Sequence, residues 1–137
     1  MRHSLIVGSA LLACISLACT SAGLNAADFT GAWANHTELC EKIFVKKGGR
    51  IAFAEDSDLF GNGLIIEPGK IRGKMAECTI RSSKEEGDTV HMVAECATSI
   101  SHSTLQLRLK IVDKDKIIRT HAGLPELDTP YVRCPAR

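Results

Sequence analysis

The chain has 137 residues, with 17 basic and 16 acidic side chains and a formal charge of +1. Without an excess or stripe of cations it cannot neutralise a run of phosphates, which excludes nucleic acid as a partner. Aromatic side chains are scarce too, Trp33 and Tyr131 with four phenylalanines, leaving little from which to build stacking platforms for bases or sugars.

Met1, Arg2 and His3 give a short positive start, Leu5 to Leu17 is almost wholly apolar, and small residues dominate 21–27. That is the anatomy of a cleavable signal peptide over 1–26, with the cut placed to within a few residues. The apolar run, about 14 residues, is short of the roughly 20 that a membrane-crossing helix needs, and no later segment reaches that length. No membrane span is expected. Ser16-Leu17-Ala18-Cys19 matches a bacterial lipidation box poorly, because Ser16 stands where leucine is usual. Cys19 is therefore read as the end of the apolar stretch and not as a lipid anchor. Processing removes Arg2 and leaves 27–137 as one neutral domain in the periplasm. Cys14 and Cys19 leave with the leader, so Cys40, Cys78, Cys96 and Cys134 remain. An even number of exported cysteines reads as two disulfides, which a domain of this size needs to widen a thin stability margin.

In chain order, a strand is predicted over 29–33, then either a helical turn or a four-residue loop within 37–42, and a strand over 50–54. The stretch 64–67 reads as a strand, Pro68-Gly69 as a turn and 70–75 as its partner, because proline presets a turn φ and glycine supplies a positive one. Strands over 75–82 and 89–97 flank a turn at 84–88. The clearest periodicity runs over 104–111, where apolar and polar residues alternate without a break, the mark of a half-buried strand. A polar turn at 113–115, a strand over 116–120 and a last strand over 131–134 complete the pattern. Seven or eight short strands at near-regular spacing predict an all-β fold, an antiparallel up-and-down barrel, with a β-sandwich as the alternative.

Strand parity speaks to the cysteines. Ala76, Cys78 and Ile80 share one face, and Val90, Met92, Ala94 and Cys96 share another. A hairpin folded about Gly87 sets Ile80 opposite Ala94 and Cys78 opposite Cys96, which leaves Cys40 for Cys134.

Candidate chemistry is thin. Asp56-Ser57-Asp58-Leu59-Phe60-Gly61 with Glu67 overlaps a calcium loop, yet Phe60 sits where an oxygen ligand belongs and Gly63 where an apolar anchor belongs. His36, His91, His102 and His121 lack zinc-ligand spacing, so neither a metal nor another cofactor is expected. His91 has Val93 and Glu95 on its own face, opposite that of Cys96. The sequence carries no Gly-x-Ser-x-Gly elbow and no lone reactive cysteine, and no catalytic residue is assigned. Asn35-His36-Thr37 fits a glycosylation acceptor, or an ordinary turn in a bacterium. The loop 55–63 places Asp58, Leu59 and Phe60 as the candidate binding segment, unless Phe60 folds back to cap the barrel.

Phe29-Thr30-Gly31-Ala32-Trp33-Ala34, followed by Cys40 and closed by Tyr131-Val132-Arg133-Cys134, resembles a group of small uncharacterised exported proteins of alphaproteobacteria. The Gly31-x-Trp33 pair also resembles the opening strand of lipocalin-like barrels, bacterial periplasmic protease inhibitors of that shape among them. The resemblance implies a lipocalin-like barrel with Trp33 as a plug at one end. A barrel of about eight strands holds its own side chains or one small ligand. The expected function is non-enzymatic binding of a small apolar ligand or an envelope component. The alternative is inhibition of a secreted or envelope hydrolase, with an envelope protein as partner. Oligomeric state is not encoded in any feature of the sequence.

Overall fold

The computed structural model describes residues 28–135. The leader, with Cys14, Cys19 and the cleavage region, lies outside the described residues. Among these, β1 (Gly31–Ala34) is followed by α1 (Cys40–Ile43), β2 (Phe44–Lys47), β3 (Arg50–Phe53), β4 (Gly63–Glu67) and β5 (Lys70–Arg72). Then come β6 (Glu77–Glu86), β7 (Thr89–Ala97), β8 (His102–Asp113), β9 (Lys116–Thr120) and β10 (Thr129–Arg133). Eight of these strands close a barrel in the order β1-β10-β9-β8-β7-β6-β5-β4, while β2 and β3 form a separate two-stranded sheet. Every pairing is antiparallel, and β1 completes the closure by bonding to both β4 and β10.

The barrel's inner face follows directly from alternation. In β7, Val90, Met92, Ala94 and Cys96 are buried while Val93 and Glu95 are exposed. Leu107 and Leu109 of β8, Ile117 of β9, Tyr131 of β10, Ile66 of β4 and Ile71 of β5 join them around Trp33. These side chains fill the middle of the barrel and supply its main apolar burial, at about 25 cal/mol for each Å² removed from water.

The two disulfides are Cys40–Cys134 and Cys78–Cys96. The second links residues directly opposite on β6 and β7, and Ile80 faces Ala94 two steps on. Beyond that the register shifts, because Arg81 is an extra residue between the Ile80–Ala94 and Ser82–Val93 pairs. The bulge lets β6 run on to Glu86, so the turn predicted over 84–88 contracts to Gly87 and Asp88.

Other boundaries move for similar reasons. The strand predicted over 70–75 stops at Arg72, because Gly73 donates its N–H to the Ala76 carbonyl and turns the chain early. Pro68 and Gly69, the latter at φ 74°, make the β4–β5 turn as read. The segment 37–42 becomes a 3₁₀ turn (Thr37–Leu39) that runs into α1.

The strand predicted over 50–54 is not a barrel stave. It ends at Phe53 as β3 and pairs only with β2, a strand absent from the sequence reading. This hairpin and α1 lie on the outer face of β1 and β4. Ala32, Ala34 and Ile65 pack there against Cys40 and Ile43, flanked by Phe44, Ile51 and Phe53. Glu67 of β4 pins the same region through Arg72 at 3.1 Å and Arg50 at 3.3 Å. The hydrogen bond from Arg72 is the largest influence holding that carboxyl below the usual glutamate range.

Close approach of the outer layer depends on Gly63. A Cβ there would stand 2.7 Å from Phe44 Cζ and 2.8 Å from Ile43 Cγ2, well inside contact distance. Gly63→Ala is expected to push the hairpin off the barrel and cost about 1–3 kcal/mol in urea denaturation. An unchanged midpoint would show that the layer yields freely.

Candidate functional site

The antiparallel meander gives the barrel two unlike ends. At the turn end lie the β4–β5, β6–β7 and β8–β9 turns and the entry to β1. The loop end carries the β5–β6, β7–β8 and β9–β10 loops and the approach to β4.

The turn end carries a hollow of about 510 Å³ with Phe29, Trp33, Ile111 and Ile117 among its walls. Trp33 is fully buried, its Nε1–H donates to the Phe29 carbonyl at 2.8 Å, and the Arg133 guanidinium lies 4.3 Å from the ring centroid. Arg133 also donates to the backbone carbonyls of Lys114 at 3.0 Å, Asp28 at 2.7 Å and Thr30 at 2.5 Å. One side chain thereby ties the incoming chain to the β8–β9 turn.

The loop end is hollow. A cleft of about 600 Å³ opens there, with Ile43, Phe53, Leu64 and Tyr131 among its apolar walls and Met75 and Leu127 near its rim. Alternation explains why polar side chains enter it: Arg119 on β9 and His121 just beyond the strand have the parity of buried Ile117. Arg119 approaches the Tyr131 hydroxyl, but burial dominates and raises the phenol above its ordinary pKa. No carboxylate among the described residues lies within ion-pair distance of Arg119. Ser57, only 1% exposed, also lines the cleft, and its Oγ has no hydrogen-bond partner among the described residues. His121 Nδ1 makes no hydrogen bond among the described residues but lies 3.8 Å from Asp128 Oδ1. Lys74 is otherwise occupied, donating to the carbonyls of Ala54 at 2.5 Å and of Glu55.

The candidate loop divides. Asp58 reaches the cleft wall, Leu59 is 75% exposed, and Phe60 rests beneath the Lys42 ammonium at 5.3 Å on the outer layer, away from the opening. Met75, Ile100, Leu124 and Leu127 are exposed on the other loops of this end. A second, smaller groove of about 320 Å³ runs outside the barrel beside Cys40–Cys134, with Phe44, Val45 and Ile51 along it.

Remaining sequence candidates go to structural tasks. Asn35 accepts from the Asn62 N–H at 2.9 Å and donates to the Pro130 carbonyl at 3.2 Å, lacing three segments of the loop end. His91 faces Glu86 at 3.3 Å, while Glu95, the neighbour chosen from parity, binds Arg81. Among the described residues no three His, Cys, Asp or Glu side chains converge to hold a metal ion. Glu67, the last member of the calcium-like pattern, is engaged by Arg72 and Arg50.

Sequence reasoning missed Arg119, Ser57 and His121 as cleft residues. The available signal was Arg119 itself, a cation at the same parity as the buried Ile117. No helix among the described residues is long and apolar enough to cross a membrane. Two disulfides in such a fold are consistent with an extracellular or periplasmic location. No family model matches the chain, nor does any curated protein or solved structure.

Proposed function

We propose that this is a non-enzymatic, periplasmic binding protein that carries a small apolar molecule in the loop end of its barrel. The carrying observation is the cleft of about 600 Å³ above a filled core, which falls within the range of small-molecule sites. Its lining is mixed: Ile43, Phe53, Leu64, Met75 and Leu127 give it apolar wall, while Ser57, Asp58, Lys74 and Arg119 bring polar groups to the same space. The exposed Met75 and Leu127 at the rim give an apolar ligand a path inward. The likeness of Gly31-x-Trp33 to lipocalin-like barrels supports the same use of the fold. Exposure of Leu59 favours a second reading, in which this loop docks on an envelope protein or hydrolase.

Native mass spectrometry of protein recovered from the periplasm tests the first reading. A co-purifying mass of a few hundred daltons, lost in a Leu64→Arg variant that remains folded, is the expected result. Bare protein that also fails to bind the uncharged probe N-phenyl-1-naphthylamine would overturn it.

A further inference from the structure

We infer that the loop-end cleft selects a single-chain amphiphile with one carboxylate head, and that Arg119 pairs with that head. This rests on the binding reading above and adds the ligand's chemistry.

A half-buried guanidinium beside apolar walls is costly unless an anion or a set of acceptors satisfies it. Arg50, Arg72, Arg81 and Arg133 each have a carboxylate within 4.0 Å, whereas Arg108 and Arg119 have none among the described residues, and of these two it is Arg119 that lines the cleft. Two nearby carboxylates do not fill that role. Asp58 is exposed at the rim, and Asp128 accepts the backbone N–H of His121 at 2.7 Å. The one polar partner that Arg119 approaches, the Tyr131 hydroxyl, is neutral and held so by burial.

The same cleft offers further unmet hydrogen-bonding capacity in Ser57 Oγ, whereas His121 Nδ1 faces Asp128 Oδ1 at 3.8 Å. A carboxylate has acceptor sites enough for a guanidinium and a hydroxyl together. The other walls, Phe53, Leu64, Met75 and Leu127, suit a hydrocarbon chain. One cation without a carboxylate partner in the cleft calls for one anionic head, and Lys74, already capped by two carbonyls, adds no second site.

Isothermal titration of the processed protein with dodecanoate and with dodecanol, the same chain without the charge, separates the possibilities. Dodecanoate is expected to bind at least about tenfold tighter, the scale of one charge-assisted hydrogen bond. Arg119→Met should bring dodecanoate down to the dodecanol affinity and leave dodecanol unchanged. Amide shifts on binding should fall on Leu64 and Tyr131 and spare Phe44 and Ile51 of the outer groove. Equal affinities in the unaltered protein would overturn the carboxylate assignment while leaving apolar binding intact. A gap that persists in Arg119→Met, or shifts confined to the outer groove, would overturn Arg119's role. Absence of binding by both ligands would remove the binding reading as well.

Discussion

Replacing Cys40 and Cys134 together by alanine is expected to remove about 4–5 kcal/mol of stability, the largest effect of any paired substitution in this barrel. The bond spans 94 residues of sequence. In the loop-entropy treatment, a loop of that length restricts the unfolded chain by about 4.7 kcal/mol, against about 3 kcal/mol for the 18-residue separation of Cys78 and Cys96. For a domain whose total stability is on the order of 5–15 kcal/mol, that is a third or more of the whole. Thermal melts should fall by roughly 15–20 °C. Position adds a second consequence. Cys40 is the first residue of α1 and lies in the cluster that holds the outer layer on Ala32, Ala34 and Ile65. Its release should raise amide exchange through α1, β2 and β3 before the barrel staves exchange. The Cys78→Ala/Cys96→Ala pair serves as the control, since it should lower the melt less and leave protection of β2 and β3 intact. Equal losses from the two pairs, with no local change in exchange, would refute this account of Cys40–Cys134.

The same residues explain what could and could not be read beforehand. Strict alternation in β7 and β8 makes a one-residue slip expose the whole apolar set, so register, inward face and the Cys78–Cys96 pairing were all fixed by pattern. The antiparallel all-β meander was legible for the same reason, but its closure was not, because alternating strands at regular spacing suit a barrel and a sandwich alike. The outer layer was not. Its strand β2 has four residues, two of them the exposed Lys46 and Lys47, too short and too polar to show a period. The hint lay on the barrel side, where Ala32-Trp33-Ala34 and Leu64-Ile65-Ile66 are apolar on consecutive residues. A strand apolar on both faces is covered on both faces, and that coverage required a further element. The cleft was harder to see. Ser57 sits in a 3₁₀ turn, and its burial depends on how the segment between β3 and β4 lies against the barrel, which no local pattern specifies. Arg81 teaches the opposite lesson: one extra residue in β6 moved the turn without disturbing the cysteines, because the bulge falls beyond them.

Trp33→Ala is expected to cost about 3–5 kcal/mol, the range for deleting a large buried aromatic. The ring is wholly shielded from water, belongs to the same cluster as Ile117 and Leu109, and forms the inner surface beneath the turn-end hollow. Removing it leaves a void that Phe29 and Ile111, only partly buried, cannot collapse to fill without drawing in the chain ahead of β1. Arg133 would meanwhile lose the face it stacks on and hold the entering strand through backbone carbonyls alone. Trp33→Phe separates the contributions. It keeps most of the apolar contact but deletes the Nε1–H, leaving the Phe29 carbonyl without that donor. A loss of about 1–2 kcal/mol is expected, the usual cost of leaving one part-buried acceptor unpaired. Urea denaturation of both variants measures the difference, with Met92→Leu as a volume-conserving core control that should change stability by less than 1.5 kcal/mol. If Trp33→Phe proves as damaging as Trp33→Ala, the indole stabilises this end through its hydrogen bond and not its bulk. If both are silent, the turn end is held by Arg133 and the β8–β9 turn without the indole.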